Sequence, residues 1–243
     1  MPPFQTVIYE KSENVAYITL NRPQVLNVYN LQMRDELYQI LCAIKDDDEV
    51  KVAILKGAGN KAFCAGADLS EFLTAPSPII ARRVRWERDI WGLFLRLPQP
   101  LIGALHGYIL GSGMEMALCC DLRIASEDAK FGLPETGLGI IPAAGATQTL
   151  PRVVGRAKAM EMLLTADRID AREAYDVGLV NKVVPRAQLL ATAQEMAREI
   201  ISYSHGAVRY AKQAVVRGLD LPLAEGLELE RRLADLLFSI RTQ

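Results

Sequence analysis

The chain is poor in the residues that build metal sites. Its 243 residues include two histidines, His106 and His205, and four cysteines, Cys42, Cys64, Cys119 and Cys120. The cysteine spacing matches neither a disulfide framework nor a zinc pattern, so reduced thiols in a cytoplasmic protein are expected, with no metal. A surplus of charge is missing as well: 28 basic residues stand against 29 acidic ones. That balance offers no attraction to nucleic acid or to an acidic membrane surface. The opening MPPFQTVIYEKSEN has no basic region followed by an apolar run, so no secretory signal is expected. The chain also shows no repeat, low-complexity segment or linker. Half of its residues are hydrophobic, enough to fill the core of one large domain.

Long apolar runs are rare too. Only residues 101–120, LIGALHGYILGSGMEMALCC, reach the length of a membrane span. That run contains His106 and Glu115 and is broken by Gly111-Ser112-Gly113. It reads as a buried strand, a turn and a buried helix rather than a span.

What is present is an alternation of strand and helix patterns. VIYE, a Lys-Ser-Glu-Asn turn and VAYITL form a hairpin candidate. NRPQVLN follows as an irregular loop. From Leu31 the apolar residues fall at helical spacing, with Asn30 as N-cap, and Asp46-Asp47-Asp48-Glu49 reads as a solvated connector. Residues 50–55 read as a buried strand, residues 78–97 as a long helix, and LIGALHGY and DLRIAS as two more buried strands. After Pro142 the segments GRAKAMEMLLT, AREAYDVG, LLATAQEMAREI, GAVRYAKQAVVRG and AEGLELERRLADLLF are all helical. The pattern predicts one α/β domain with a helical C-terminal part.

Glu115 is the residue in need of an explanation, because nearly all its neighbours are apolar or glycine. Ser112 to Glu115 fits the S-x-x-E capping box, a common structural device. The same geometry also suits chemistry. A glycine-rich turn entering a helix presents free N–H groups, among them that of Ser112, where an oxyanion would be stabilised. A carboxylate over that helix end, in apolar surroundings, is expected to have a raised pKa and to serve as acid or base. Ala65-Gly66-Ala67-Asp68 follows a buried strand and has side chains small enough for close backbone approach; it reads equally as a tight connection. Glu135, in FGLPETGLG, lies on a turn and is a second candidate carboxylate, although exposed turn glutamates are ordinary.

The stretches NRPQVLN, KAFCAGADLSEF and HGYILGSGMEMALCCDLRIASEDAKFGLPETGLGIIPAAGATQTLPRVVG, with AREAYDVG and LVNKVV after them, occur in an order and spacing that resembles the enoyl-CoA hydratase/isomerase (crotonase) superfamily. The resemblance covers most of residues 15–185. It implies an α/β spiral of ββα units over residues 1–185, carrying the coenzyme A and catalytic site. Residues 186–243 would add a helical, trimerising region within the same domain unit. Further implied are an oxyanion hole from the amides of Ala65 and Ser112, and hydration of a 2,3-enoyl-CoA thioester by Glu115, which helps activate water, and Glu135, which protonates the carbon next to the carbonyl. Val25, Leu26, Ala65, Gly66, Ala67 and Asp68 would bind the coenzyme A part of the substrate. No separate cofactor is implied, and self-association to a trimer or hexamer is. Retention of both glutamates points to hydratase over isomerase, over another acyl-CoA enzyme of this fold, or over a non-catalytic acyl-CoA-binding protein. The family pattern departs at Ser112 and Ala143, where glycine is usual. It also departs at the end of the chain, where a last helix is expected.

Two other motifs lead elsewhere. Gly57-Ala58-Gly59 begins a G-x-G-x-x-A match to a dinucleotide loop, but FCAGAD after it has a poor helical pattern. Ser112 lacks the frame of a hydrolase serine, since position 110 is leucine. Residues 72–97, with Trp86 and Trp91, are expected to form part of an acyl pocket wall.

Overall fold

The computed structural model describes residues 4–71 and 87–241. Strands β1 (Val7–Ser12) and β2 (Val15–Leu20) pair antiparallel, with Val7 opposite Leu20 and Ser12 opposite Val15. The turn is only Glu13-Asn14, shorter than the four residues expected. Both residues have positive φ, 51° and 64°, the primed geometry that matches the twist of flanking strands. Helix α1 (Leu31–Asp46) begins where the sequence places it: Oδ1 of Asn30 accepts the Met33 N–H at 2.9 Å.

Three strand pairs then build the body. In each, the first strand joins one sheet, the chain turns, and the second strand joins another. The pairs are β3 (Val52–Gly57) with β4 (Ala62–Cys64), β5 (Leu101–Leu105) with β6 (Tyr108–Leu110), and β7 (Leu122–Ser126) with β8 (Lys130–Gly132). Helix α2 (Ile90–Arg96) precedes the second pair, α3 (Ser112–Cys119) follows it, and α4 (Ala146–Thr165) follows the third. The remaining elements are β9 (Ile169–Asp170), α5 (Ala171–Asp176), β10 (Lys182–Val184), α6 (Leu189–Ile201), α7 (His205–Gly218) and α8 (Leu223–Arg241). The six-stranded sheet runs β1-β2-β3-β5-β7-β10 and the four-stranded sheet β4-β6-β8-β9. Stepping one position along both sheets with each pair generates the expected spiral.

Two expectations need correction. LIGALHGY is not one strand. It bends at Gly107, whose φ is 55° and where a Cβ would lie 2.1 Å from the Lys61 carbonyl oxygen, so only glycine fits and the chain changes sheets there. The helix expected over 78–97 is not continuous either. Asp89 is non-helical, and its carboxylate accepts the Gly92 N–H at 2.9 Å to cap α2. Residues 72–86 lie outside the described residues.

The larger core cluster holds α1, β4, β6, α3 and α4 together, through Leu37, Phe63, Ile109, Met114 and Leu150. On the opposite face of the six-stranded sheet, Leu189, Ala193 and Ala197 of α6 cover Val52, Ile54, Ile102 and Ile124. Helices α7 and α8 pack chiefly on each other.

Candidate active site

Helix α3 starts directly after β6, and its N-cap is Gly111, with φ 50° and ψ −122° and no side-chain cap. Ser112 is therefore the first helical residue, and the S-x-x-E pattern is not a capping box. The helix start is pressed against the end of β4: a Cβ on Gly113 would lie 2.1 Å from the Cys64 carbonyl oxygen. Among the described residues, the Ser112 N–H donates to no backbone carbonyl, as expected of a first-turn amide.

Glu115 is 3% exposed. Its Oε1 accepts the N–H of Ala144 at 2.8 Å and that of Ala146 at 3.3 Å. A carboxylate in this apolar setting is held by backbone donors from the segment that enters α4.

Glu135 lies just before a 3₁₀ turn (Thr136–Leu138). A Cβ on Gly111 would sit 3.0 Å from Oε1 of Glu135 and 3.4 Å from Cα of Gly66. Thus the loop after β4, the start of α3 and the Glu135 carboxyl meet at one glycine. Oε2 of Glu135 is buried and has no hydrogen-bond partner among the described residues. Burial pushes its pKa above the usual carboxylate value, while its own backbone amide pulls the other way.

The loop after β4 is laced to NRPQVLN. The N–H of Tyr29 donates to Gly66 O at 2.8 Å and that of Asp68 to Tyr29 O at 2.7 Å. The N–H of Ala65 donates to Leu26 O at 3.1 Å. Ala65 is therefore not available as the oxyanion donor expected of it. The Ala67 N–H donates to no backbone carbonyl among the described residues.

The Asp68 carboxylate is also occupied. Oδ2 takes the Arg22 guanidinium at 2.9 Å and Oδ1 the Ser70 hydroxyl at 2.7 Å. Ser70 first and Arg22 second hold its pKa below the usual range. Val25 and Leu26 lie in the same laced loop, in and just after the 3₁₀ turn Pro23–Val25.

A scan against known families matches residues 10–242 to the enoyl-CoA hydratase/isomerase model. The chain belongs to the enoyl-CoA hydratase/isomerase family. A putative enoyl-CoA hydratase/isomerase of Bacillus subtilis is 46% identical over 91% of this chain and 85% of its own. A short-chain-enoyl-CoA hydratase of Clostridium acetobutylicum is 42% identical over 98% and 91%. The crystal structure of an enoyl-CoA hydratase from Bacillus anthracis superposes with a TM-score of 0.90 at 42% identity, covering 95% of this chain and 90% of that one. The fold is the crotonase spiral that the motifs imply.

Within this enoyl-CoA hydratase/isomerase fold, the Glu135 carboxyl, the 65–68 loop and the start of α3 meet at Gly111, while the Glu115 carboxylate is held by the Ala144 and Ala146 amides. Trp91 packs on Tyr29 with ring centroids 5.6 Å apart; Trp86 lies outside the described residues. The described residues contain no cluster of three or more His, Cys, Asp or Glu side chains able to hold a metal, and no helix long and apolar enough to cross a membrane.

Sequence reasoning missed four contributors. The amides of Ala144 and Ala146 carry no side-chain signal. Asn27, fully buried at φ 55°, accepts the Arg22 N–H through its side chain and donates to Ala58 O and Ala62 O, each at 2.9 Å. Arg22 joins Val28 O and Asp68. The NRPQVLN motif itself was the available signal for Arg22 and Asn27.

Proposed function

We propose that the protein hydrates the 2,3 double bond of an enoyl-CoA thioester to give the 3-hydroxyacyl-CoA. The arrangement of two carboxyl groups about the start of α3 carries the reading: Glu135 rests on Gly111, and Glu115 projects from the helix that Gly111 opens.

The thioester oxygen would take the N–H groups of Ser112 and Ala67, from two separate loops. Positive potential at the helix start adds to those two donors as charge develops on the oxygen. Water attacks the carbon distal to the carbonyl. Glu115, its direction fixed by the Ala144 and Ala146 amides, orients the water and takes its proton. Glu135, whose raised pKa keeps it a proton donor to higher pH, protonates the carbon next to the carbonyl. One C–O bond and one C–H bond form, the C=C π bond and one O–H bond of water break, and the proton gained by Glu115 is lost to solvent as Glu135 regains one, so each turnover consumes one water. Coenzyme A is part of the substrate, and no separate cofactor enters. The pairing favours hydration over double-bond isomerisation, because moving one proton needs no second group to hold water.

The backbone of Val25, Leu26 and residues 65–68 would contact the coenzyme A portion. Self-association, at the trimer or hexamer level, belongs to the same reading. The α7–α8 region exposes Leu219, Leu223, Leu227, Leu236 and Phe238, a set suited to an interface. The test is loss of the conjugated enoyl-thioester absorbance across a panel of chain lengths. Turnover of at least one member supports the reading. Binding without turnover would make the protein an acyl-CoA binder, and product with a shifted double bond would make it an isomerase.

A further inference from the structure

Among the described residues the amide of Ala67 donates to no backbone carbonyl, while its neighbours are bonded. On one side Gly66 O accepts the Tyr29 N–H, and on the other the Asp68 N–H donates to Tyr29 O. Tyr29 and Ala67 form a bridge of parallel strands, isolated from both sheets. One bridge is a weak constraint on a loop containing Gly66 at φ 121°. Beside the bridge, the Ala65 N–H to Leu26 O bond holds the start of the loop, and a link beyond Ala67 would complete the setting of the Ala67 N–H.

Arg22 is placed to do this. A single guanidinium nitrogen, Nη1, donates to Val28 O at 2.8 Å and to Asp68 Oδ2 at 2.9 Å. The two acceptors lie in the two loops that the bridge joins, immediately before Tyr29 and immediately after Ala67. Both side chains of the ion pair are 18% exposed, so water competes little for either. Arg22 is itself anchored: its N–H donates to Asn27 Oδ1, and the Asn27 N–H donates to Arg22 O. The Asp68 carboxylate also takes the Ser70 hydroxyl and N–H, which leaves little rotational freedom at the far end.

We propose that the Arg22–Asp68 pair is a positioning device for the oxyanion-binding amide of Ala67. It acts on the rate of the chemical step through that amide, and its two charged side-chain groups face each other rather than the substrate. The inference rests on the proposed hydration and deepens it.

The experiment uses the full chain and a chromophoric, aryl-conjugated enoyl-CoA, whose absorbance moves to longer wavelength when its carbonyl is polarised on binding. Arg22→Met and Asp68→Asn are each expected to lower kcat by about 100-fold, the scale of an ångström-sized misplacement in an active site, with KM changed by less than about threefold. Both should remove most of the red shift. The double variant should be no slower than the worse single variant, because both remove one device. Arg22→Lys keeps the charge and guards against misfolding; it is expected to retain part of the shift and of kcat. A red shift of wild-type size in Arg22→Met or Asp68→Asn, with any rate loss following the melting temperature, would overturn the inference. Wild-type protein that neither hydrates nor shifts the chromophore would instead overturn the functional reading beneath it.

Discussion

The carboxyl of Glu135 lies on the backbone of Gly111: a methyl group there would sit 3.0 Å from Oε1 and 3.4 Å from Cα of Gly66. Gly111 also has φ 50°, where a side chain is strained. Gly111→Ala should therefore cost about 1–2 kcal/mol of stability. It should also displace Glu135 and lower kcat more than the stability loss explains. Thermal melts beside steady-state kinetics at a temperature where the variant is fully folded separate the two effects.

Glu115→Gln keeps an oxygen able to accept from Ala144 and Ala146 but removes the base. The variant is expected to melt within a few degrees of wild type. Hydration should fall by about 10³-fold, within the range of positioned acid–base groups. A rate loss of less than tenfold would place the chemistry elsewhere.

Glu135 predicts a stability effect of unusual sign. Burial raises its folded pKa, so the folded protein holds the proton to higher pH than the unfolded chain does. The associated stability is fully present below the ordinary glutamate pKa and is lost as pH rises through the folded value. Glu135→Gln should remove that loss. The variant is expected to be inactive, yet at least as stable as wild type at neutral pH, with the gap closing in acid. Chemical denaturation at two pH values checks this, and a variant less stable than wild type at neutral pH would contradict it.

His106 acts in the opposite range. Buried at the turn between β5 and β6, its pKa is lowered to about 4, first by burial and then by the Arg186 charge. The unfolded chain gains a proton near the ordinary histidine value of 6.5. Stability tied to this residue is therefore complete above that pH and drains away as pH falls towards about 4. His106→Gln is expected to flatten the acid limb of a stability–pH curve, measured by melting temperature across that window.

Much of this was legible as pattern. The Asn30 cap, the helical spacing of α1 and the helix that follows Gly111 obey local rules, and both helices formed where those rules place them. What escaped depends on contacts between distant segments. Ser112 and Glu115 look like a capping box until the Ala144 amide supplies another donor for the carboxylate. Ala65 and Ala67 are indistinguishable in sequence; only the Leu26 carbonyl, on another loop, decides which amide stays free. Gly107 breaks a strand that its neighbours favour because Lys61 leaves no room for a side chain.

The most direct test is the fate of solvent oxygen. Single-turnover reaction of a short enoyl-CoA in heavy-oxygen water, with the product analysed by mass, reports whether water is added and at which carbon. The two-glutamate account predicts one labelled oxygen on the carbon distal to the carbonyl, and no such product from Glu115→Gln on the same timescale. Consumption of substrate by wild-type protein with no oxygen taken up, or labelling of equal extent in that variant, would contradict it.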